Sequence, residues 1–156
     1  MAKIYSTKDT IYEKLKKYCA YQERSQKEVE QKIFSLTKDK EMADEIILSL
    51  IHENFLKEER YALAYARGKF RINGWGKQKI KQGLKLNAIS DHLISKALLE
   101  IDEEEYRSKI KYYYNAKLNS LNQLAAAEQK RKAIQFLLQK GFEYNDIVET
   151  IQSEDL

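Results

Sequence analysis

Five apolar residues recur along the chain at one constant displacement, and this repeat limits the possible folds more than any other feature. Ile80, Leu84, Ile89, Ile94 and Leu98 match Ala133, Leu137, Phe142, Ile147 and Ile151, each 53 residues further on. Backwards, Ile80 and Leu84 match Val29 and Ile33 at 51, while Ile94 and Leu98 match Ile47 and Ile51 at 47. The first copy therefore carries four extra residues, in the turn at Thr37–Lys40. Upstream, Tyr61 and Tyr65 answer to Ile11 and Leu15 at 50, and to Tyr106 and Ile110 at 45. Within each copy the spacing is helical. A period near fifty residues with that spacing predicts similar helical units, each covering the apolar face of its neighbour. The expectation is an all-α fold of three tandem three-helix repeats forming an elongated, curved array, with units at 8–56, 57–101 and 102–153.

Local signals agree with three helices per unit. Ser6 and Thr7 offer a cap for a helix over 8–22, with Ile11, Leu15 and Tyr18 on one side. Ser25 with Glu28 three residues on forms a capping-box pattern before Val29, Ile33 and Leu36. Met42, Ile46, Ile47, Leu50 and Ile51 define a third helix. The fourth, over 57–72, is expected to bury Tyr61, Ala64, Tyr65, Gly68 and Ile72, with Gly68 letting another helix approach. A corner at Asn73-Gly74-Trp75-Gly76 leads into a fifth helix burying Ile80 and Leu84, and Ser90 caps a sixth. The acidic run Asp102–Glu105 opens a seventh, where negative charge suits the amide end. Helices over 126–139 and 144–152 follow, with Gly141 as the residue ending the first of them. The chain has no proline, which permits long helices.

The second unit is also where charge concentrates. The 25-residue window Tyr61–Lys85 holds Arg67, Lys69, Arg71, Lys77, Lys79, Lys81 and Lys85, the only tryptophan, Trp75, and no acid. The whole chain has a net charge of only +4, so attraction to a polyanion depends on this local clustering. Lys77, Lys81 and Lys85 form an i, i+4, i+8 row, and Arg67 and Arg71 lie one turn apart. These cations and Trp75 are the candidate partner- or nucleic-acid-binding residues, acting as an unneutralised positive band. Trp75 either plugs two units together or stands out as an anchor, and packing is the preferred role. Tyr61, Tyr65, Tyr106 and Tyr113 fall on packing stripes and are assigned to the core ahead of base stacking.

Catalytic chemistry finds little support. His52 and His92 lie in different units without a carboxylate or cysteine at ligand spacing, so no metal site and no cofactor is expected. Gly74-Trp75-Gly76-Lys77 lacks the full phosphate-loop pattern and a preceding strand. Cys19, the only cysteine, sits on an apolar face and reads as core. No apolar run approaches a membrane span of roughly 18 residues, and nothing near the start resembles a signal peptide. The expectation is a cytoplasmic, monomeric, non-enzymatic protein.

The run Tyr61-Ala62, Tyr65-Ala66-Arg67 and Lys69, then Trp75-Gly76-Lys77, Ile80 and Leu84, then Ile89-Ser90, Ile94, Ala97 and Leu98, resembles the central repeat of the RecX family of RecA regulators. Residues 131–142 resemble that family's closing repeat, and Glu23-Arg24-Ser25 with Glu28, Val29, Lys32 and Ile33 resembles its first. The resemblance covers about residues 8–152. It implies a protein that binds the RecA filament on single-stranded DNA, lies along its groove and damps its ATPase and strand-exchange activities, with weak DNA binding of its own. Two other readings stay open: a sequence-independent nucleic-acid-binding helical module acting without RecA, and a helical scaffold for some other protein.

Overall fold

The computed structural model describes residues 7–154. Among them are nine α-helices and no strand: α1 (Lys8–Tyr21), α2 (Gln26–Leu36), α3 (Lys40–His52), α4 (Glu58–Arg71), α5 (Lys77–Leu86), α6 (Asp91–Leu99), α7 (Glu103–Ser120), α8 (Ala126–Gln139) and α9 (Tyr144–Glu154). They pack in consecutive triplets, α1–α3, α4–α6 and α7–α9, so the chain is an all-α helical repeat array.

The starts of α1, α2, α3, α6 and α7 follow from side chains that satisfy free amides. Thr7 accepts from the Thr10 amide, and the Ser6 part of the expected cap lies outside the described residues. Ser25 and Glu28 form the full capping box, with bonds of 3.1 and 2.9 Å. Asp39, Ser90 and Asp102 cap α3, α6 and α7 in the same way. Gly141 ends α8 with φ +97°, a conformation that glycine adopts without a Cβ penalty.

Burial corrects the expected phase of α4 and one expected core residue of α3. In α4 the inward row is Ala62, Ala66 and Phe70, matching Ile11, Leu15 and Cys19 in α1 and Tyr106, Ile110 and Tyr114 in α7. Tyr61 is buried too, but Ala64 is exposed and Ile72 is 85% exposed. Gly68 does not admit a neighbouring helix: a Cβ built there would meet nothing within 4 Å. In α3 the fully buried pair is Ile46 and Leu50, while Ile51 is 45% exposed. Ile47 and Leu50 keep the displacement of 47 from Ile94 and Ala97, the buried pair of α6. In α4 the adjacent apolar residues Tyr61 and Ala62 fit two helical phases, and the neighbouring helices select the row of Ala62; in α3 Ile46 and Ile47 are both buried.

The core is divided unequally. Ile11, Leu15, Cys19, Val29, Ile33, Ile46, Ile47, Leu50 and Leu56 close a separate core inside the first unit. The second and third units share one continuous core, running from Ala62 and Phe70 through Tyr106 to Phe142 and Ile147. Tyr106 bridges them, with ring centroids 5.7 Å from Phe70 and 5.2 Å from Phe142. Burying each such ring contributes about 2–3 kcal/mol, before the gain from the aromatic contacts.

Candidate partner interface

The corner between α4 and α5 is built by the third unit as much as by the second. Gly74 turns the chain with φ +68°, and any Cβ there would overlap the Tyr113 hydroxyl. The next residues leave α5 without a side-chain cap, because its N-cap is Gly76. Three groups of the third unit supply one. The Gly76 amide donates to the Lys140 carbonyl (2.8 Å), the Lys77 amide to the Tyr106 hydroxyl (2.9 Å) and the Gln78 amide to the Gly141 carbonyl (2.9 Å). This approach needs glycine on both sides: a Cβ on Gly76 would overlap the Gly141–Phe142 backbone, and one on Gly141 would overlap Lys79. The geometry fixes α5 rigidly against the α8–α9 turn.

That placement divides the candidate cations into two groups. Arg71 donates to both carboxylate oxygens of Glu105 (3.3 and 3.0 Å). Lys77 reaches Glu103 at 3.0 Å and lies over the Tyr106 ring, its side chain only 19% exposed. Lys85 stands 3.9 Å from Asp91. The expectation that no acids compensate the band is thus wrong for these three residues. Their partners come from the acidic first turns of α6 and α7, outside the acid-free window.

Among the described residues, Arg67, Lys69, Lys79 and Lys81 meet no acid within 4 Å. Two of them converge on Trp75. The Lys69 and Lys79 ammonium groups lie 4.9 and 4.8 Å from its ring centroid, within the range of cation–π attraction. Trp75 is half-buried on the core shared by the second and third units and meets Tyr65 edge-on at 6.5 Å. It therefore packs at the junction while remaining partly exposed. Arg67 and Lys81 are exposed.

Lys140 extends the corner and was not found from the sequence. Its ammonium donates to the Asn73 carbonyl at 3.4 Å and sits 4.5 Å from the Tyr113 centroid. Burial lowers its pKa, and the charges of Lys79 and Lys109 lower it further. Lys79, Lys109 and Lys140 thus bring positive charge close together where the two units meet. Only a contact between residues 60 or more positions apart reveals it, so periodicity carries no signal for it.

Cys19 is buried, and burial pushes its thiol above the ordinary range. His52 and His92 are exposed, and the described residues contain no cluster of His, Cys, Asp and Glu able to hold a metal ion. Tyr61 and Tyr106 are core residues, whose hydroxyls burial holds far above their usual pKa, while Tyr65 and Tyr113 are half-buried beside the core. Among the described residues no helix is long and apolar enough to cross a membrane.

By class this is an all-α protein of tandem three-helix repeats with a basic, aromatic corner at one unit junction. Residues 58–98 match the family model described as RecX, second three-helix domain, and residues 103–151 match RecX, third three-helix domain. The chain belongs to the RecX family. Regulatory protein RecX of Lactococcus lactis subsp. cremoris is 31% identical over 109 residues, covering 69% of this chain and 40% of that protein. Regulatory protein RecX of Streptococcus uberis is 30% identical over 141 residues, covering 86% and 51%. The chain spans about half the length of the curated relatives it matches. The crystal structure of RecX from Lactobacillus salivarius superposes with a TM-score of 0.86 at 29% identity, over 95% of this chain and 96% of that one.

Proposed function

We propose that this chain regulates a RecA-type recombinase by binding its filament on single-stranded DNA. It lies in the filament groove, bridges neighbouring protomers and restrains the rearrangements that ATP hydrolysis and strand exchange require. The observation that carries this reading is the Lys69–Trp75–Lys79 cluster with Lys140, in a chain of the RecX family. Arg67 and Lys81 add exposed charge, while Arg71, Lys77 and Lys85 act mainly within the chain. The docking is electrostatic, against acidic patches or phosphates, and weakens as salt screens it.

The test is a titration of the protein into RecA on single-stranded DNA, following ATP turnover. Turnover falls saturably if the reading is right, and unchanged turnover at saturating protein defeats it. The half-buried Trp75 ring with two ammonium groups over it favours a second reading, a sequence-independent single-strand binder, because base stacking and backbone charge use the same groups. Tight binding to naked single strands, abolished by modest salt and without effect on turnover, selects that one.

A further inference from the structure

The third unit carries a second basic stretch. Residues 106–142 contain eight basic residues and a single acid, Glu128, which Arg131 holds. Lys117 and Lys140 come from this stretch, and among the described residues neither meets an acid within 4 Å. Each lies against an aromatic ring instead. The Lys117 ammonium is 5.0 Å from the Phe136 centroid, and that of Lys140 is 5.7 Å from Phe136 and 4.5 Å from Tyr113. Phe136 and Tyr113 meet edge-on at 6.3 Å, and both are half-buried.

Lys140 joins this group to the basic corner. Gly141, the next residue, lies against Lys79, and the Lys79 charge acts on Lys140. Ammonium groups and rings therefore form one row in the order Lys69, Trp75, Lys79, Lys140, Phe136 and Lys117, from α4 across α5 and α8 to α7. The hydrogen bonds that hold α5 to the α8–α9 turn fix the two halves of the row against each other. Like charges held close without a counter-charge cost energy, and a bound anion removes that cost. Lys109 also acts on Lys140, but it lines a cleft with Glu104 and Glu105 and so stands outside the row.

We propose that this row is a track for single-stranded nucleic acid, with backbone phosphates on Lys79, Lys140 and Lys117 and bases against the exposed parts of the Trp75 and Phe136 rings. Interleaved ammonium groups and aromatic rings suit a sequence-independent single-strand site, because phosphates take the charge and bases take the rings. An acidic protein segment uses the charge alone and has no need of the rings. The track carries the basic corner onto the third unit. That its strand is the one bearing the recombinase rests on the function proposed above.

The test uses the full chain without RecA. Binding of a fluorescein-labelled oligothymidylate is followed by anisotropy over a series of salt concentrations. Lys117→Gln/Lys140→Gln should weaken it at least tenfold and flatten the slope of log affinity against log salt by about 1.4, since each single-strand phosphate contact contributes about 0.7. Lys14→Gln/Lys17→Gln, which removes the same charge from exposed positions of the first unit, should change affinity less than twofold. Equal losses in the two pairs, or no loss in the first, overturn the proposal. Helicity is checked by circular dichroism, and Lys117→Gln alone should still cost about threefold if the pair does not fold; no loss there overturns the proposal too. Poly-glutamate should displace the oligonucleotide only at a large excess of carboxylate over phosphate, and equal displacement makes an acidic protein segment the occupant. If the track results hold but the unaltered protein leaves RecA turnover unchanged, the RecA reading fails while the track stands. If turnover falls but Lys117→Gln/Lys140→Gln binds the oligonucleotide fully, only the track fails.

Discussion

The two unit junctions are built on different physics. Between the second and third units the core is continuous, and α5 takes its N-terminal hydrogen bonds from Lys140, Tyr106 and Gly141 across the boundary. Between the first and second units each side closes its own core, and the contacts across are polar. Arg60 donates to Glu23 and to the Asn54 and Phe55 carbonyls, the Gln26 amide donates to Glu58, and the Lys27 ammonium to the Leu86 carbonyl. Apolar burial is not weakened by ionic screening, whereas partly exposed ion pairs are weak and screened. The second and third units should therefore melt together, and the first should open by itself. The basic corner sits on the rigid junction.

The largest effect should come from Gly76→Val. Its side chain cannot coexist with the Gly141–Phe142 backbone, and the shared core must part. A loss of about 3 kcal/mol is expected, read by urea unfolding through Trp75 fluorescence. Tyr106→Phe keeps the ring but leaves the Lys77 amide without its acceptor, which should cost about 1.5 kcal/mol in the same measurement. Neither change should alter the reactivity of Cys19 in the first unit.

Arg60→Ala should cost at most about 1 kcal/mol, because its ion pair with Glu23 is partly exposed. Its signature is kinetic: Cys19 should react faster with a thiol reagent, and high salt should mimic the variant in the unaltered protein. Raising pH acts in the same direction. The folded thiol has a raised pKa, so its contribution to stability is full below the ordinary thiol range and is lost as pH rises through the folded value. The smallest change is a gain: Gly68→Ala should stabilise the free chain by about 0.7 kcal/mol, measured by urea unfolding.

Most helices were legible because each carries an i, i+4 apolar row and a side-chain cap, as in Ser25 with Val29 and Ile33. Phase is ambiguous where apolar residues are adjacent, so spacing alone does not choose between Tyr61 and Ala62 as the inward row of α4. The basic window was legible as composition, but its neutralisation was not: Glu103 and Glu105 reach Lys77 and Arg71 from 26 and 34 residues away. The unequal division of the core was hidden too. Tyr106 has the helical spacing of an ordinary core residue, and only its contacts with Phe70 and Phe142 make it a bridge.

Two paired variants test most directly which cations dock. Binding to RecA filaments on single-stranded DNA is measured for Lys69→Glu/Lys79→Glu and for Arg71→Glu/Lys77→Glu, with helicity checked by circular dichroism. The account predicts that the first pair loses binding while staying folded, and that the second loses stability but keeps binding when folded. Full binding by Lys69→Glu/Lys79→Glu would contradict it.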